Sequence, residues 1–249
     1  MSTSKIIVDA YPFARALKAA IAVAPRKMPR DLVQFRIEGS SLFIGANSGW
    51  EVFCAELPAN SLALDEERDS VFEITRSEAI AMAAMKMTHE DSEDIPQLGM
   101  EIHKTFVQRT DESGLGLGLR SVKVKRHGEL YQAELGNIPY STSLAQGQKP
   151  TKRKPQMFAR QWATVSSVAK ALDADVQVWS TSAIDADVVR NVLTIGDAHM
   201  VVLTSTHDAE ESGEQPQQKS QLSFEDEEGN DAEEAGTAKV AANPPKGLA

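Results

Sequence analysis

Phe158-Ala159-Arg160-Gln161-Trp162, running on through Val165 and Ala169 to Leu172, matches in register Phe13-Ala14-Arg15, which runs on through Leu17 and Ala20 to Ala24. Turning each residue by about 100° places Phe13, Leu17, Ala20, Ile21 and Ala24 on one face of the earlier segment, with Arg15, Lys18 and Ala22 opposite. In the later segment Phe158, Trp162, Val165, Ala169 and Leu172 form the apolar stripe, and Arg160, Thr164, Ser167 and Lys170 lie across from it. Both read as amphipathic helices with a basic outer side. Each is followed by an alternating run that opens on Val-Gln, namely Val33-Gln34-Phe35-Arg36-Ile37 and Val176-Gln177-Val178-Trp179. The offsets nearly agree, 145 residues between the two phenylalanines and 143 between the two valines. A shared helix register followed by a shared strand start points to internal duplication, which sets the architecture.

The repeated element is wider than a helix. Lys5 to Val8 reads as a strand, and the first helix spans about Ala10 to Ala24, with Pro12 confined to its first turn and Pro25 and Pro29 preventing continuation. Val33 to Glu38 and Ser41 to Ala46 alternate around a Gly39-Ser40 turn, and a third strand from Trp50 ends at Pro58. The order of strand, helix and three-strand meander begins again at Val71-Phe72-Glu73-Ile74. There Thr75-Arg76-Ser77-Glu78 has capping-box spacing, and the helix runs to about Met87 with Ile80, Ala83, Ala84 and Met87 inward. His89 to Asp94 reads as an acidic loop, followed by strands over Gly99 to Arg109, Leu115 to Arg126 and Glu129 to Leu135. Tyr140 to Pro155, rich in Ser, Thr, Gln, Gly, Pro and Lys, reads as a connector. A third helix over Gln156 to Leu172 follows, then strands at Asp175 to Ser180, Val188 to Ile195 and His199 to Ser205. The expectation is an α+β protein of duplicated β-α-β-β-β units. One domain spans 1–126, a second spans 127–206 and includes the connector 140–155, and 207–249 is a disordered acidic tail.

The net charge of −10 is unevenly spread. From His207 onward eleven acids meet three lysines, a net of −8, whereas residues 1–206 hold 25 acids and 23 bases, a net of −2. Bases in this near-neutral body cluster as Arg26-Lys27 with Arg30, Lys123-Lys125-Arg126 and Lys152-Arg153-Lys154, an arrangement that can hold a polyanion at local stripes. No apolar run approaches the roughly 20 residues that span a bilayer. The stretch Met1 to Asp9 is too short and too early-charged for a secretory leader, so a cytoplasmic protein without membrane contact is expected. One cysteine, Cys54, permits no intrachain disulfide. The histidines at 89, 103, 127, 199 and 207 lack metal-ligand spacing. Gly114-Leu115-Gly116-Leu117-Gly118-Leu119 leads into a strand rather than a helix, so it is no dinucleotide loop, and no Gly-x-Ser-x-Gly occurs. No cofactor, metal or catalytic residue is expected, and the chain reads as non-enzymatic.

Repeated strand-helix-meander units with helices basic on one side resemble the sliding clamps, the DNA polymerase processivity factors of the bacterial beta-clamp and proliferating cell nuclear antigen superfamily. The resemblance runs over about residues 5 to 205. Its best local match joins Phe158 to Trp162 and Ala171-Leu172 with Asp175-Val176-Gln177-Val178, Val192-Leu193-Thr194-Ile195 and Met200-Val201-Val202-Leu203, similar to the closing helix and strands of a bacterial beta-clamp domain. The resemblance implies sheets outside and helices facing a central hole. Arg15, Lys18, Arg76, Lys86, Arg160 and Lys170, with Lys152, Arg153 and Lys154 of the connector, would then meet DNA phosphates. It implies double-stranded DNA, a DNA polymerase and clamp-binding proteins as partners, and a homo-oligomer in which two-domain chains close as a trimeric ring. Two such domains call for four helices, and three are read here. Either the connector replaces one helix, or the ring reading fails.

Within the tail, Gln221-Leu222-Ser223-Phe224 resembles the short Gln-Leu-x-Leu-Phe peptides with which clients dock on clamps. Gln221, Leu222 and Phe224 are its candidate partner-binding residues, docking either on another clamp or over the chain's own pocket. The alternative is a single-stranded DNA binding or recombination accessory protein whose acidic tail recruits replication enzymes. That reading needs Trp50, Tyr131, Trp162 and Trp179 exposed for base stacking, and Trp162 reads as core.

Overall fold

Among the described residues, eleven antiparallel strands and four α-helices are laid out as β1 (Ser4–Asp9), α1 (Ala10–Val23), β2 (Leu32–Glu38), β3 (Ser41–Asn47), β4 (Glu51–Ala63), β5 (Val71–Thr75), α2 (Arg76–Ala83), β6 (Gln97–Ile102), β7 (Phe106–Asp111), β8 (Ser121–Lys125), α3 (Ile138–Gln146), α4 (Ala159–Leu172), β9 (Val176–Thr181), β10 (Val188–Ile195) and β11 (Ala198–Ser205). The computed structural model describes residues 4–65, 67–86, 95–113, 120–128, 134–181 and 188–205. All of them belong to the first of the chain's two units, Met1–Ser212. The expectations for Met87, the His89 to Asp94 loop, Gly114 to Leu119, a strand from Glu129, Tyr131 and the tail, including Gln221, Leu222 and Phe224, lie outside the described residues.

The strand order is β5-β2-β3-β4-β1-β6-β7-β8, with β11, β10 and β9 branching from β4. The first two β-α-β-β-β units exchange their leading strands. β1 pairs with β6 of the second unit, and β5 pairs with β2 of the first. Long β4 joins the parts, because Glu51 to Cys54 face β11 on one side, Val52 to Pro58 face β3 on the other, and Ala59 to Ala63 face β1. The strand therefore continues through Pro58, where the sequence predicts an end. Pro58 has no N–H to give, but Ala59 N donates to Ser40 O at 2.8 Å and picks up the ladder one residue on.

Alternation along the strands makes two apolar faces. Val33, Phe35, Leu42, Ile44, Ala46, Phe53 and Ala55 join the main core under α1, α2 and α4. Leu32 and Cys54, with Phe43 and Val52 beside them, point the other way and meet Leu135 and Ile138 at the start of α3. Inside the main core Phe13, Phe35 and Phe72 stack with centroids 6.3 and 4.8 Å apart. Arg109 lies over the outer ring of Phe13 and Arg126 over that of Phe72, at 5.6 and 5.8 Å. Desolvation lowers the Arg109 guanidinium to about 10, and it is tied to Met82 O at the end of α2. Arg126 pairs with buried Asp69 at 3.2 Å, so it does not extend the surface cluster of Lys123 and Lys125.

Several expected faces and boundaries shift. Tyr140 to Pro155 is not a plain connector, because α3 occupies its first part: Asn137 accepts from Tyr140 N at 3.0 Å as a cap, and a proline sits in the first turn. The stretch Gly99 to Arg109 divides into β6 and β7 at a turn closed by His103 N to Phe106 O, 3.0 Å. Helix α2 keeps its Thr75–Glu78 capping box but buries Ala79 and Met82, leaving Ile80 exposed. In α4 the buried residues are Gln161, Val165 and Val168, and Trp162 is 44 % exposed. Gln161 takes the inward place because both ends of its amide are hydrogen-bonded: Oε1 accepts from Phe158 N at 2.9 Å and from Thr204 Oγ1 at 3.0 Å, while Nε2 donates to Leu203 O at 2.8 Å.

Gly45 is what lets α3 seat. A Cβ built there would lie 2.7 Å from Ile138 Cγ2 and 2.8 Å from Phe53 O. Gly45→Ala is expected to cost about 1–3 kcal/mol, read as a lowered midpoint in urea unfolding. An unchanged midpoint would show that α3 is not held at this position.

Candidate functional site

Helix α1 sits between α2 and α4, and all three bury one side in the same core. The N-terminus of α2 meets the C-terminal end of α1 through Arg76 Nε to Ile21 O, 3.2 Å. Its C-terminal end returns to Phe13 through Arg109, so α1 and α2 run antiparallel. The C-cap of α4, Asp173, reaches Arg15 at 3.5 Å. Residues opposite the buried stripes therefore form one continuous helical layer. Lys18 and Lys170 lie diametrically across from the buried positions of α1 and α4, and both are exposed. Arg15 and Arg160 stand on the flanks of their helices and are exposed as well.

The nine candidate bases are thus not equivalent. Arg15, Lys18, Arg160 and Lys170 share the α1–α4 layer. Arg15 is partly engaged by Asp173, but both groups are open to solvent (55 % and 82 % side-chain exposure), so the pair restrains little. It also borders a cleft of ≈ 550 Å³ shared with Glu56 and Asp197. Arg160 lies over the Phe158 ring at 5.4 Å, and it is close enough to Glu51 to bias that carboxyl. Desolvation pushes Glu51 up, and its hydrogen bonds to Ser48 and Thr164 and the charge of Arg160 oppose this. Arg76 is half-buried and structural, joining α2 to α1. Lys86 is exposed beyond the end of α2. Lys152, Arg153 and Lys154 are exposed on the strap leading into α4, held by Thr151 N to Ser180 O at 2.8 Å and by Asn191, whose Oδ1 accepts from Gln156 N and whose Nδ2 donates to Gln156 O.

Charge counting along the sequence does not reveal the polar groups that hold this layer in place. Buried Glu73 accepts from Gln34 Nε2 and from the backbone N–H groups of Glu134 and Leu135, at 2.9, 3.0 and 3.1 Å. It anchors the chain leading into α3. The only sequence sign of this was a lone carboxylate inside an otherwise apolar strand. The fourth helix, α3, lies on the opposite side of the sheet from α1, α2 and α4 and adds nothing to the basic layer. A cleft of ≈ 400 Å³ lies beside it, lined by Phe43, Cys54, Glu56, Tyr140, Thr142 and His199 among others. Burial pushes the Cys54 thiol up to about 12, which leaves it inert near neutrality.

The fold is that of the DNA polymerase sliding clamps. The structure is similar to the sliding clamp (DNA polymerase III subunit beta) of Pseudomonas aeruginosa, with a TM-score of 0.50 at 7 % identity over 81 % of this chain and 64 % of that one. The DNA polymerase III beta subunit of Thermotoga maritima matches with a TM-score of 0.50 at 10 % identity over 80 % and 64 %. A beta subunit from Eubacterium rectale matches with 0.50 at 8 % over 81 % and 65 %. The chain spans just under two thirds of the length of these clamps. At the level of sequence no family model matches, and no curated protein is similar. Among the described residues no helix is long and apolar enough to cross a membrane.

His199 offers a pH test of the packing between β11 and β4, whose residues His199 and Cys54 are register partners. Desolvation lowers its pKa from the ordinary 6.5, against the smaller opposing pull of Glu56 and Asp197. The unfolded chain then binds the proton more readily than the folded one. Stability from this site is present above pH 6.5 and is lost as pH falls below it. Urea midpoints measured from pH 7.5 down to 5.5 should fall less steeply for His199→Gln than for the unaltered protein, and equal slopes would contradict the assignment.

Proposed function

We propose that this chain is a non-catalytic, clamp-like processivity factor that encircles duplex DNA and tethers a DNA polymerase. The observation that carries the reading is the basic layer of α1 and α4, with Lys18 and Lys170 pointing directly away from a core that the clamp-like sheet shares. Cations on flexible stems meeting phosphates supply affinity without base information. Such contacts are weak and quickly exchanged, so a ring built from them slides, and enclosure keeps it on the DNA. A chain of this length needs several copies to close a ring, three in the two-domain counting. Strand β8 and the first half of β9 present unpaired edges among the described residues, where strand addition can join copies. Polymerase and other clamp-binding proteins would be the protein partners, with Gln221, Leu222 and Phe224 of the tail as the candidate docking peptide, and the setting would be cytoplasmic.

One observation favours the second reading, a single-stranded DNA binding or accessory protein. Trp50 and Trp162 are 47 % and 44 % exposed. Both belong to the corner where Leu203 N donates to Trp50 O and Leu203 O accepts from Gln161, so two indoles are open to base stacking close to Arg160.

Retention on DNA separates the two. The clamp reading expects protein loaded on closed circular duplex to survive a high-salt wash and to be lost when the circle is linearised. Equal loss from circle and line would overturn it, and tryptophan quenching by single strands alone would establish the second reading. Replacing Arg15, Lys18, Arg160 and Lys170 together by Glu should flatten the slope of log affinity against log salt by about 3–4 while leaving the circular dichroism spectrum unchanged.

A further inference from the structure

On one side of β4 the sheet has a notch. Pairing with β11 stops at Cys54 opposite His199, and pairing with β1 begins at Ala59 opposite Val8, so residues 55–58 have no neighbouring strand on that side among the described residues. Trp50 O accepts from Leu203 N of β11, whereas Ala59 N donates to Ser40 O on the other side of β4. Backbone groups alternate between the two edges of an antiparallel strand, so Glu56, in step with Trp50, turns its N–H and C=O into the notch. Alternation also puts the side chains of Ala55 and Leu57 on the core side and that of Glu56 on the opposite face. Behind the notch lies the cleft of ≈ 550 Å³ that Arg15 borders, within the range of about 300–1,000 Å³ found for ligand sites. Ala16, Leu57, Leu172, Ile195 and Ala198 give it an apolar wall, and exposed Tyr11 stands at its edge.

Carboxylates outnumber cations around this opening among the described residues. Glu56 and Asp197 line the cleft, both exposed, and both are close enough to bias His199. Exposed Asp173 and Asp175 flank the lining residue Ala174. Arg15 is the one cation among the described lining residues, and Asp173 already faces it at 3.5 Å. Lys170 stands across from the buried side of α4 and does not line the cleft. A polyanion is therefore disfavoured here and a cationic ligand favoured. An unpaired donor and acceptor on a strand edge, next to an apolar recess, is what an extended peptide uses to add itself to a sheet. We infer that the notch binds an extended segment of a partner protein with the pattern apolar, basic, apolar. In antiparallel pairing the basic residue sits opposite Glu56 and shares its face of the sheet, while its two neighbours point with Ala55 and Leu57 toward the cleft. The site does not depend on the clamp reading.

The test titrates the full, isotope-labelled chain with a panel of short capped peptides of the pattern Ser-Leu-Lys-Leu-Ser, in which Phe or Val replaces Leu and Arg replaces Lys. The site predicts saturable shifts of the Glu56, Leu57, Gly196 and Asp197 amide signals, with a dissociation constant of about 0.1–1 mM. Placing Asp at the central position should weaken binding about tenfold or more, and the double variant Glu56→Lys, Asp197→Lys, changed at exposed positions, should reverse that preference. Methylating the central backbone nitrogen should weaken binding about fivefold, because it removes a hydrogen bond to Glu56. No saturable binding by any member of the panel up to about 5 mM overturns the proposal, as do shifts confined to residues beside α3. Equal binding of central Lys and Asp peptides, an unchanged preference in the double variant, or indifference to N-methylation overturns it as well. Retention on circular duplex is measured independently, so the loss of one result leaves the other standing.

Discussion

One strand, β4, has to satisfy three different neighbours, and the rest of the structure follows from how it does so. Its first residues pair with β11, its middle with β3, and its last with β1. Phe53 and Ala55 point into the main core, while Val52 and Cys54 face α3. Without its first residues the third group of strands, β9 to β11, has no attachment to the sheet. Without its last, the exchange of leading strands between the first two units has no bridge. The helical layer inherits this arrangement, since Gln161 fastens the start of α4 to the end of β11 while Val165 and Val168 pack on the core that α1 shares.

Residues 1–206 were legible where apolar spacing alone decides. Helix α1 presents alanines with Phe13, Leu17 and Val23 on one stripe, so its bounds and most of its buried face follow from periodicity. The Thr75–Glu78 box and the β2–β3 turn are likewise local chemistry. The rotation of α4 was not legible, because a glutamine took the inward place through three hydrogen bonds that no hydropathy pattern encodes, and Trp162 was turned outward in exchange. Helix α3 was hidden by a composition of Ser, Thr, Gln and Pro. Its cap Asn137 and first-turn proline were the signals present, and its seat, Gly45, lies 93 residues earlier in the chain. The run of β4 past Pro58 depends on β1, a partner distant in sequence.

The candidate site was legible as a list of cations but not as a surface. Arg76 and Arg126 look like surface charge in sequence, yet one ties two helices together and the other is buried against Asp69. Arg15, Lys18, Arg160 and Lys170 do share a layer, and the strap of Lys152 to Lys154 adds to it at one end. Separating these roles takes the burial of the helices on a common core, which depends on contacts between residues more than a hundred positions apart.

Lysine footprinting tests the central claim, that the α1–α4 layer is the side that meets duplex. Brief acetylation of the full chain with and without duplex, read by mass spectrometry, compares Lys18 and Lys170 with Lys123 and Lys125 of β8. Protection of Lys18 and Lys170 by duplex, with Lys123 and Lys125 unchanged, is the predicted result. Protection confined to β8, or spread evenly over all four, would contradict the account.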